Sequence, residues 1–362
     1  MSQGYPFMIY GANGYTGRII TQLAVERGMK PLLCGRNEAA IAALATQYKL
    51  PYEIADLNDK AALDDAVLSV DVVLHCAGPF AQTARPMLES CMRNKAHYLD
   101  ITGEIGVFEM IAALDDDIKR SGIMALPGAG FDVVPTDCLA AYLKKRLPTA
   151  TQLTLAFAGL GGGVSHGTAS TMLQNIGRGG AVRQNGQIRV VPDAFKTRMI
   201  TFDQKAVQTV TIPWGDVSTA FYSTSIPNIE VYMAVSPTIL RFLEGGSFLK
   251  WWAKKNWVKN MLQKGLDRFL NGPSDQQRQK SKSIVWGEVR DLKGNSAIAR
   301  LTTPEGYTLT ALTALAAVEK VLSGKAPIGF QTPSTAYGAD FILEIKGTAR
   351  QDIAAKRDIQ IQ

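Results

Sequence analysis

Short apolar runs alternate with amphipathic stretches over roughly the first 150 residues of the chain. Six runs have the length and composition of buried strands, and they cover residues 5–10, 29–37, 52–57, 71–80, 97–104 and 123–132. Between them, apolar positions recur at helical spacing, with a helix start near Asn58 or Asp59 and a helix around 86–94. Strands that alternate with helices are typical of crossover connections. The pattern predicts an α/β protein with a Rossmann-type, doubly wound parallel sheet.

The pattern changes after Leu147 and Pro148 to several strands in succession. The predicted strands are 151–158, 187–191, 206–213, 229–235, 284–291 and 297–303. The tetrapeptides "QNGQ" (184–187) and "LKGN" (292–295) have the composition of hairpin turns. This part predicts a second α+β domain with a mostly antiparallel or mixed sheet.

These changes divide the chain into three parts. We expect a dinucleotide-binding domain at 1–149 and a substrate domain at 150–308. The C-terminal part, 309–362, begins with a helix from about Leu309 to Leu322. Whether this part packs back on the first domain is left open by the sequence.

The composition is that of a soluble globular protein, with 362 residues, 46% hydrophobic and 20% charged. The cysteines Cys34, Cys76, Cys91 and Cys138 share no short spacing, so we expect no metal site and a reduced, cytoplasmic protein. No signal peptide and no apolar run long enough to span a bilayer is visible.

The stretch "GANGYTGR" (11–18) joins the first strand to the first helix. Glycine at such a corner lets the backbone turn sharply and approach a pyrophosphate, while the helix N-terminus offers free N–H groups. The alternative is an ordinary glycine-rich turn. The candidate dinucleotide-binding residues here are Gly11, Asn13, Gly14, Tyr15, Thr16 and Gly17.

The second predicted strand ends in Gly35-Arg36. An NAD-binding protein places Asp or Glu here to bind the 2′-hydroxyl of the adenosine ribose, whereas a guanidinium pairs with a 2′-phosphate. Arg36 therefore favours NADP as the cofactor.

Ligands of doubly wound folds bind at the carboxyl ends of the strands. We therefore expect Asp56 near the adenine, and the loops after the fourth and sixth strands near the ribose and nicotinamide. The candidates in those two loops are Cys76, Ala77, Gly78, Pro79, Phe80, Gly130 and Phe131.

Four motifs carry a family resemblance: "GANGYTGR", "CAGPF" (76–80), "YLDITGE" (98–104) and "GAGFDVVPTD" (128–137). In this order and spacing they resemble the saccharopine dehydrogenase-like NADP-binding family, and especially its trans-acting enoyl reductases. The stretches 305–324 and 332–344 are similar to the end of that branch. The resemblance implies an NADP(H)-dependent oxidoreductase with a Rossmann domain and a second α/β domain. Family members of the lysine pathway act on an amino-acid conjugate with several carboxylates, whereas 155–170 here is small and mostly uncharged.

Basic residues are concentrated in 141–290, which holds 20 Lys and Arg against 8 Asp and Glu. Within it, 247–270 combines Trp251, Trp252 and Trp257 with several lysines at helical spacing. Such a helix lies on an anionic membrane surface, covers a hydrophobic substrate, or packs its aromatics on the sheet; all three remain open. No nucleic-acid-binding motif accompanies the basic charge, so we expect no nucleic-acid partner.

Hydride transfer requires the acceptor carbon to be held beside the nicotinamide, with at most one proton supplied by the protein. The candidate proton donors are His166, Tyr98, Glu104 and Asp132. His75 and His97 fall within predicted strands and are expected to be structural.

Two function hypotheses follow. The first is a cytoplasmic reductase that acts on a C=C, C=N or C=O bond of a hydrophobic or lipid-like small molecule. Its alternative is a saccharopine-type dehydrogenase, which acts on a polar amino-acid conjugate. The second is a noncatalytic NADP-binding protein that associates with a membrane or a partner through 247–270. The oligomeric state stays open, a homodimer included.

Overall fold

The computed structural model describes residues 5–160, 179–203, 206–235 and 272–354. The predicted helix at 247–270 and the candidate donor His166 lie outside these ranges.

The described helices are α1 (Tyr15–Glu26), α2 (Glu38–Tyr48), α3 (Lys60–Leu68), α4 (Phe80–Asn94), α5 (Ile105–Ala113), α6 (Asp115–Ser121), α7 (Val134–Arg146), α8 (Asp216–Thr224), α9 (Asp275–Lys280), α10 (Gly306–Leu322) and α11 (Pro333–Tyr337). The described strands are β1 (Met8–Tyr10), β2 (Leu32–Gly35), β3 (Tyr52–Ile54), β4 (Val72–His75), β5 (His97–Asp100), β6 (Met124–Leu126), β7 (Gln152–Leu160), β8 (Gly180–Gln184), β9 (Gln187–Val191), β10 (Thr197–Thr201), β11 (Ala206–Thr211), β12 (Asn228–Ala234), β13 (Lys282–Arg290), β14 (Ser296–Pro304), β15 (Gly329–Phe330) and β16 (Ala349–Ile353).

Among the described residues, the first sheet has seven parallel strands in the order β15-β6-β5-β4-β1-β2-β3. The predicted Rossmann-type sheet is confirmed. Its seventh strand, β15, comes from the C-terminal part and was not predicted, because two residues carry no readable pattern. Strands β1 to β6 are mostly or fully buried except for the edge strand β3, which explains their continuous apolar sequences.

The second sheet has nine described strands, in the order β10-β11-β12-β7-β13-β14-β16 with the β8–β9 hairpin joined to β12. Its pairings are antiparallel except for β12 with β7, so the predicted mixed sheet is confirmed. Both predicted hairpin turns are present. Asn185 and Gly186 take positive φ angles of 49° and 78° between β8 and β9, and Gly294 has φ 81° between β13 and β14.

The C-terminal part contacts both sheets. Helix α10 packs on α1 and β4, β15 extends the parallel sheet, and β16 pairs with β14 at the edge of the mixed sheet. One apolar core runs from the parallel sheet through α7 and α10 to the mixed sheet, and it includes Leu74, Leu139, Val285 and Leu315. The domain boundaries themselves stay predictions.

Candidate functional site

The strand order reverses around β1, which lies between β2 and β4. In an open parallel sheet this is the point where a crevice forms at the carboxyl ends of the strands. The "GANGYTGR" corner follows β1 at that point.

The three glycines of the corner meet different neighbours. A Cβ atom at Gly11, where φ is 79°, would lie 2.8 Å from the Cβ of Ala77, and one at Gly17 would lie 2.4 Å from the carbonyl oxygen of Gly11. Both glycines are therefore required for packing of the protein itself. At Gly14 such an atom would meet one described neighbour within 4 Å, the Gly11 oxygen, at a tight 3.3 Å. Gly14 is therefore the least crowded of the three glycines, and its exposed side can accept a pyrophosphate.

Helix α1 begins at this corner, and Gly14 is its N-cap residue. Among the described residues, no side-chain hydrogen bond caps the helix. The first N–H groups of a helix have no partner within the helix, so those of α1 are available to an anion. The side chain of Asn13 lies toward the tip of β2, where a Cβ atom at Gly35 would be 3.4 Å from its Oδ1. Thr16 is half-buried in the first turn of α1. These residues fit a dinucleotide phosphate.

Arg36 follows β2 and is exposed. It makes no hydrogen bond or ion pair with residues of the described ranges, whereas its neighbour Asn37 caps α2 by accepting from the N–H of Ala40 at 3.1 Å. An unpaired guanidinium at this tip is free to bind a 2′-phosphate. Asp56, after β3, is also exposed, and its Oδ1 accepts from the N–H of Asn58 at 2.8 Å, so it organises the local turn.

The loop after β4 carries the predicted residues 76–80. Cys76, Ala77, Pro79 and Phe80 are half-buried and Gly78 is exposed. The Gly78–Pro79 peptide bond is cis.

Glu104 has a structural partner at this loop. Its Oε1 accepts from the N–H of Phe80 at 2.8 Å and its Oε2 from the N–H of Ala81 at 2.9 Å. The carboxylate therefore caps the start of α4, a favourable place for negative charge. Both of its oxygens are engaged, which makes Glu104 poorly suited to donate a proton.

Asp100, at the end of β5, is a buried residue that the sequence analysis did not single out. Its carboxylate accepts from the hydroxyl of Tyr98 at 2.6 Å and from the N–H groups of Thr102 and Gly128, both at 2.9 Å. Burial raises its pKa to about 6. Asp100 therefore ties the loops after β5 and β6 together. Tyr98 is fully buried and its pKa is raised by burial, so its hydroxyl does not face the crevice.

Asp132 lies over the loop after β5. A Cβ atom at Gly103 would be 2.4 Å from its Oδ2, so only glycine at 103 leaves room for this carboxyl group. Asp132 makes no hydrogen bond within the described ranges, and desolvation raises its pKa to about 7. It is nevertheless partly accessible. A carboxyl group with these properties is suited to hold and release a proton near neutral pH.

Next to Asp132, three aromatic residues form what we call the aromatic wall: Phe131, Phe157 and Trp214. The rings of Phe131 and Phe157 have centroids 5.9 Å apart, and those of Phe157 and Trp214 are 4.7 Å apart. Phe131 lies in the loop after β6 of the parallel sheet, Phe157 lies on β7 of the mixed sheet, and Trp214 follows β11. Phe131 and Trp214 are half-buried, so the wall retains an accessible surface. No pattern in the sequence brings these residues together.

The loop that carries Trp214 packs against Gly103, the residue that lies beside the Asp132 carboxyl group. A Cβ atom at Gly215 would lie 3.3 Å from the carbonyl oxygen of Gly103 and 2.7 Å from the ring of Phe108. In the loop after β6, Gly130 approaches Thr310 of α10. The Thr310 hydroxyl accepts from the N–H of Phe131 at 3.0 Å. Loops of both sheets and helix α10 therefore meet around Asp132.

Two further carboxyl groups are buried at this junction. Asp137 accepts from the hydroxyl of Ser223 at 2.6 Å and from the N–H of Ser334 at 2.7 Å, and burial raises its pKa. Asp216 is fully buried, and its Oδ2 has no hydrogen-bond partner among the described residues. Burial raises its pKa well above the ordinary value, so Asp216 is held neutral.

Neither described histidine is suited to proton transfer. His75 is buried with its Nε2 3.0 Å from the hydroxyl of Thr83, and burial lowers its pKa to about 3. The Nδ1 of His97 accepts from the N–H of Met124 at 2.9 Å.

Within the described ranges, no group of three or more His, Cys, Asp or Glu has the arrangement of a metal site. Among the same residues, no helix is both long and apolar enough to cross a membrane.

Comparison with known proteins agrees with this geometry. Residues 7–126 match the family model of the saccharopine dehydrogenase NADP binding domain. A saccharopine dehydrogenase-like oxidoreductase of Homo sapiens is 23% identical over 163 residues, which is 40% of this chain and 38% of the human protein. A trans-acting enoyl reductase of Mycobacterium ulcerans is 25% identical over 39% of this chain and 36% of its own length.

A lipid droplet localized protein of Caenorhabditis elegans is 21% identical over 78% of both chains. The mammalian oxidoreductases are matched over 38% to 48% of their length.

Among solved structures, saccharopine dehydrogenase (L-Glu forming) of Saccharomyces cerevisiae superposes with a TM-score of 0.66. The alignment covers 97% of this chain and 100% of the yeast chain at 13% identity, so it supports the fold alone. The strand order, the glycine corner and the matched model lead to one conclusion: residues 7–126 are similar to the saccharopine dehydrogenase NADP binding domain, and the chain resembles saccharopine dehydrogenase-like oxidoreductases.

Proposed function

We propose that the protein is an NADP(H)-dependent reductase that transfers a hydride to a C=C, C=N or C=O bond of a hydrophobic, lipid-like substrate. The observation that carries the proposal is Asp132. Its carboxyl group has no partner within the described ranges, has a pKa raised to about 7, and adjoins the aromatic wall at the carboxyl edge of the dinucleotide-binding sheet.

The residues of the glycine corner fit the dinucleotide. The exposed backbone at Gly14 and the first N–H groups of α1 would hold the pyrophosphate, and Arg36 would pair with the 2′-phosphate. The loop 76–80 would border the ribose and nicotinamide. When bound, NADPH supplies the hydride. The protein positions the substrate and provides the accompanying proton.

Asp132 is the proton donor in this proposal. Of the four candidates, Glu104 caps α4 with both oxygens, Tyr98 is buried against Asp100, and His166 lies outside the described residues. Asp132 is protonated in a large fraction of molecules at neutral pH because burial raises its pKa to about 7. Reduction of a polarised double bond leaves negative charge on the atom next to the hydride acceptor, and this carboxyl group would protonate it.

The aromatic wall supports an apolar substrate. Phe131, Phe157 and Trp214 offer a hydrocarbon surface beside Asp132, which suits an acyl or enoyl chain better than an amino-acid conjugate with several carboxylates. The names of two relatives also support an apolar substrate, since one is a trans-acting enoyl reductase and the other a lipid droplet localized protein. We further propose that the protein works in the cytoplasm and, through 247–270, at a lipid surface, with no nucleic-acid partner.

The test is NADPH oxidation with a panel of enoyl, keto and imine compounds, each offered in an acyl form and in a polar, carboxylate-rich form. NADPH that carries deuterium on nicotinamide C4 should deliver the label to the product of an acyl compound. Tight NADPH binding without turnover of any compound would refute the reductase and favour the noncatalytic NADP-binding protein. Turnover of the carboxylate-rich compounds alone would refute the lipid-like substrate.

A further inference from the structure

The first residue of α1, Tyr15, is held by a segment that lies more than 250 residues away in the chain. Its hydroxyl donates to the carbonyl oxygen of Pro273 at 2.5 Å, a contact separated by 258 residues in sequence. On another side, its ring meets that of Tyr307 edge to face, with centroids 4.9 Å apart. The dinucleotide corner is therefore in direct contact with the chain that leads into β13.

Gly272 allows this close approach. Its φ is 74°, and a Cβ atom there would lie 2.5 Å from the Tyr15 ring. Any other residue at 272 would push the segment off the ring. The backbone at 272–273 thus closes on the Tyr15 ring, while the Pro273 carbonyl accepts a hydrogen bond from the Tyr15 hydroxyl.

Arg278 completes the contact, and we call residues 272–278 the clasp. The Nη1 of Arg278 donates to the Tyr15 hydroxyl at 3.0 Å and to the Pro273 oxygen at 3.3 Å. Its Nη2 donates to Asp275 at 2.8 Å. The Arg278 side chain is only 12% exposed. A capping box between Ser274 and Gln277 fixes the short helix that presents it. Charge-assisted bonds from a side chain held in this way make the clasp stiff.

The position of Tyr15 links the clasp to the phosphate cradle. Tyr15 directly follows Gly14, the least crowded glycine of the corner, and its own N–H lies at the end of α1 that has no side-chain cap among the described residues. We propose that the clasp closes one side of the dinucleotide site, so that Tyr15 and Arg278 control how fast NADPH enters and leaves. The inference rests on the proposed cofactor.

A clasp of this kind has a distinct kinetic signature. If the dinucleotide exchanges only while the clasp is open, destabilising the clasp raises the association and dissociation rate constants by the same factor and leaves Kd unchanged. A side chain that only contacts the dinucleotide would instead change Kd. A purely structural contact would lower Tm and leave both rate constants alone.

The experiment is stopped-flow fluorescence of NADPH binding and release. Tyr15→Phe removes the hydroxyl and both of its bonds but keeps the ring, and Gly272→Ala keeps the hydroxyl but blocks the close approach. Both rate constants should rise by about tenfold in each variant, since losing a hydrogen bond to a charged group shifts an equilibrium by roughly this factor or more. Kd should stay within about twofold of the wild-type value, as coupled rate changes require.

Tyr222→Phe is the matched control. Tyr222 also joins two distant elements, through its hydroxyl to Glu109 at 3.1 Å, but it lies away from the glycine corner. Its rate constants should equal those of the wild-type protein. Unchanged rate constants in Tyr15→Phe and Gly272→Ala, a raised Kd with an unchanged association rate, or an equal effect in Tyr222→Phe would each overturn the clasp. Failure of the wild-type protein to bind NADPH would instead refute the proposed cofactor, and the clasp with it.

Discussion

Replacing Asp132 with Asn should make the protein less active and, at high pH, more stable. The pKa of Asp132 rises from 3.8 to about 7 because the folded protein desolvates its carboxyl group. The folded state therefore binds the proton more tightly than the unfolded chain does. The stability that this proton contributes is fully present below about pH 4 and is lost as pH rises to about 7.

The magnitude follows from that rise. About three pKa units at roughly 1.4 kcal/mol each set an upper limit on the order of 4 kcal/mol for the cost of ionising Asp132 in the folded protein. Asn is neutral at every pH and avoids this cost. The difference in free energy of unfolding between Asp132→Asn and the wild-type protein should thus be small near pH 4 and grow until about pH 7.

Activity should change in the opposite direction. Asn cannot donate a proton, so kcat/KM for a reducible substrate should fall by roughly 10²- to 10⁴-fold at pH 6. The wild-type value should decline above about pH 7, where Asp132 ionises, and this decline should be absent from the variant.

Urea unfolding from pH 4 to pH 8 and the pH profile of kcat/KM are the two assays. Asp116→Asn removes the same charge from an exposed position and is the control. The reasoning is refuted if Asp132→Asn keeps the wild-type rate and pH profile, or if its gain in stability does not increase with pH.

Two further predictions concern the glycine corner and the basic segment. Gly14→Val should abolish dinucleotide binding without unfolding the protein, because the new side chain has one close described neighbour, the Gly11 oxygen at 3.3 Å, and its methyl groups fill the space of the pyrophosphate. Gly17→Ala should instead lower stability by about 1–3 kcal/mol through overlap with the Gly11 oxygen. Unfolding of Gly14→Val would support an ordinary packed turn. Anionic liposomes should blue-shift the tryptophan fluorescence, less at high salt and less in a Trp252→Ala, Trp257→Ala double variant, because the 247–270 sequence combines aromatics with lysines. If no vesicle alters the spectrum, the predicted membrane contact is wrong.

Local patterns allowed much of this fold to be predicted. Alternating strands and helices indicate the parallel sheet, and the composition of 184–187 and 292–295 indicates the hairpins, because these signals depend on neighbours in the chain. Strands β8, β10, β15 and β16 were missed. Strand β15 has two residues, and β10 and β16 lie at the edges of the mixed sheet, so these three have no long apolar run.

The site was only partly predictable for a related reason. The glycine corner and Arg36 lie at positions fixed by strand ends, which the sequence shows. Trp214 beside Phe157, and Tyr15 beside Pro273, are contacts between residues far apart in the chain, and no local signal encodes them. Tyr98, one of the candidate proton donors, lies in β5 two residues before the end of that strand and packs in the core.

The central claim is that this chain holds NADP through Arg36 at the tip of β2, and calorimetric titration of NADPH and NADH tests it most directly. The wild-type protein should bind NADPH more tightly than NADH. Arg36→Asp should cost NADPH about 2 kcal/mol or more, roughly a 30-fold rise in Kd, because it removes the partner of the 2′-phosphate and adds repulsion. NADH binding should change little or improve. Equal losses for both dinucleotides, or a wild-type preference for NADH, would contradict the account.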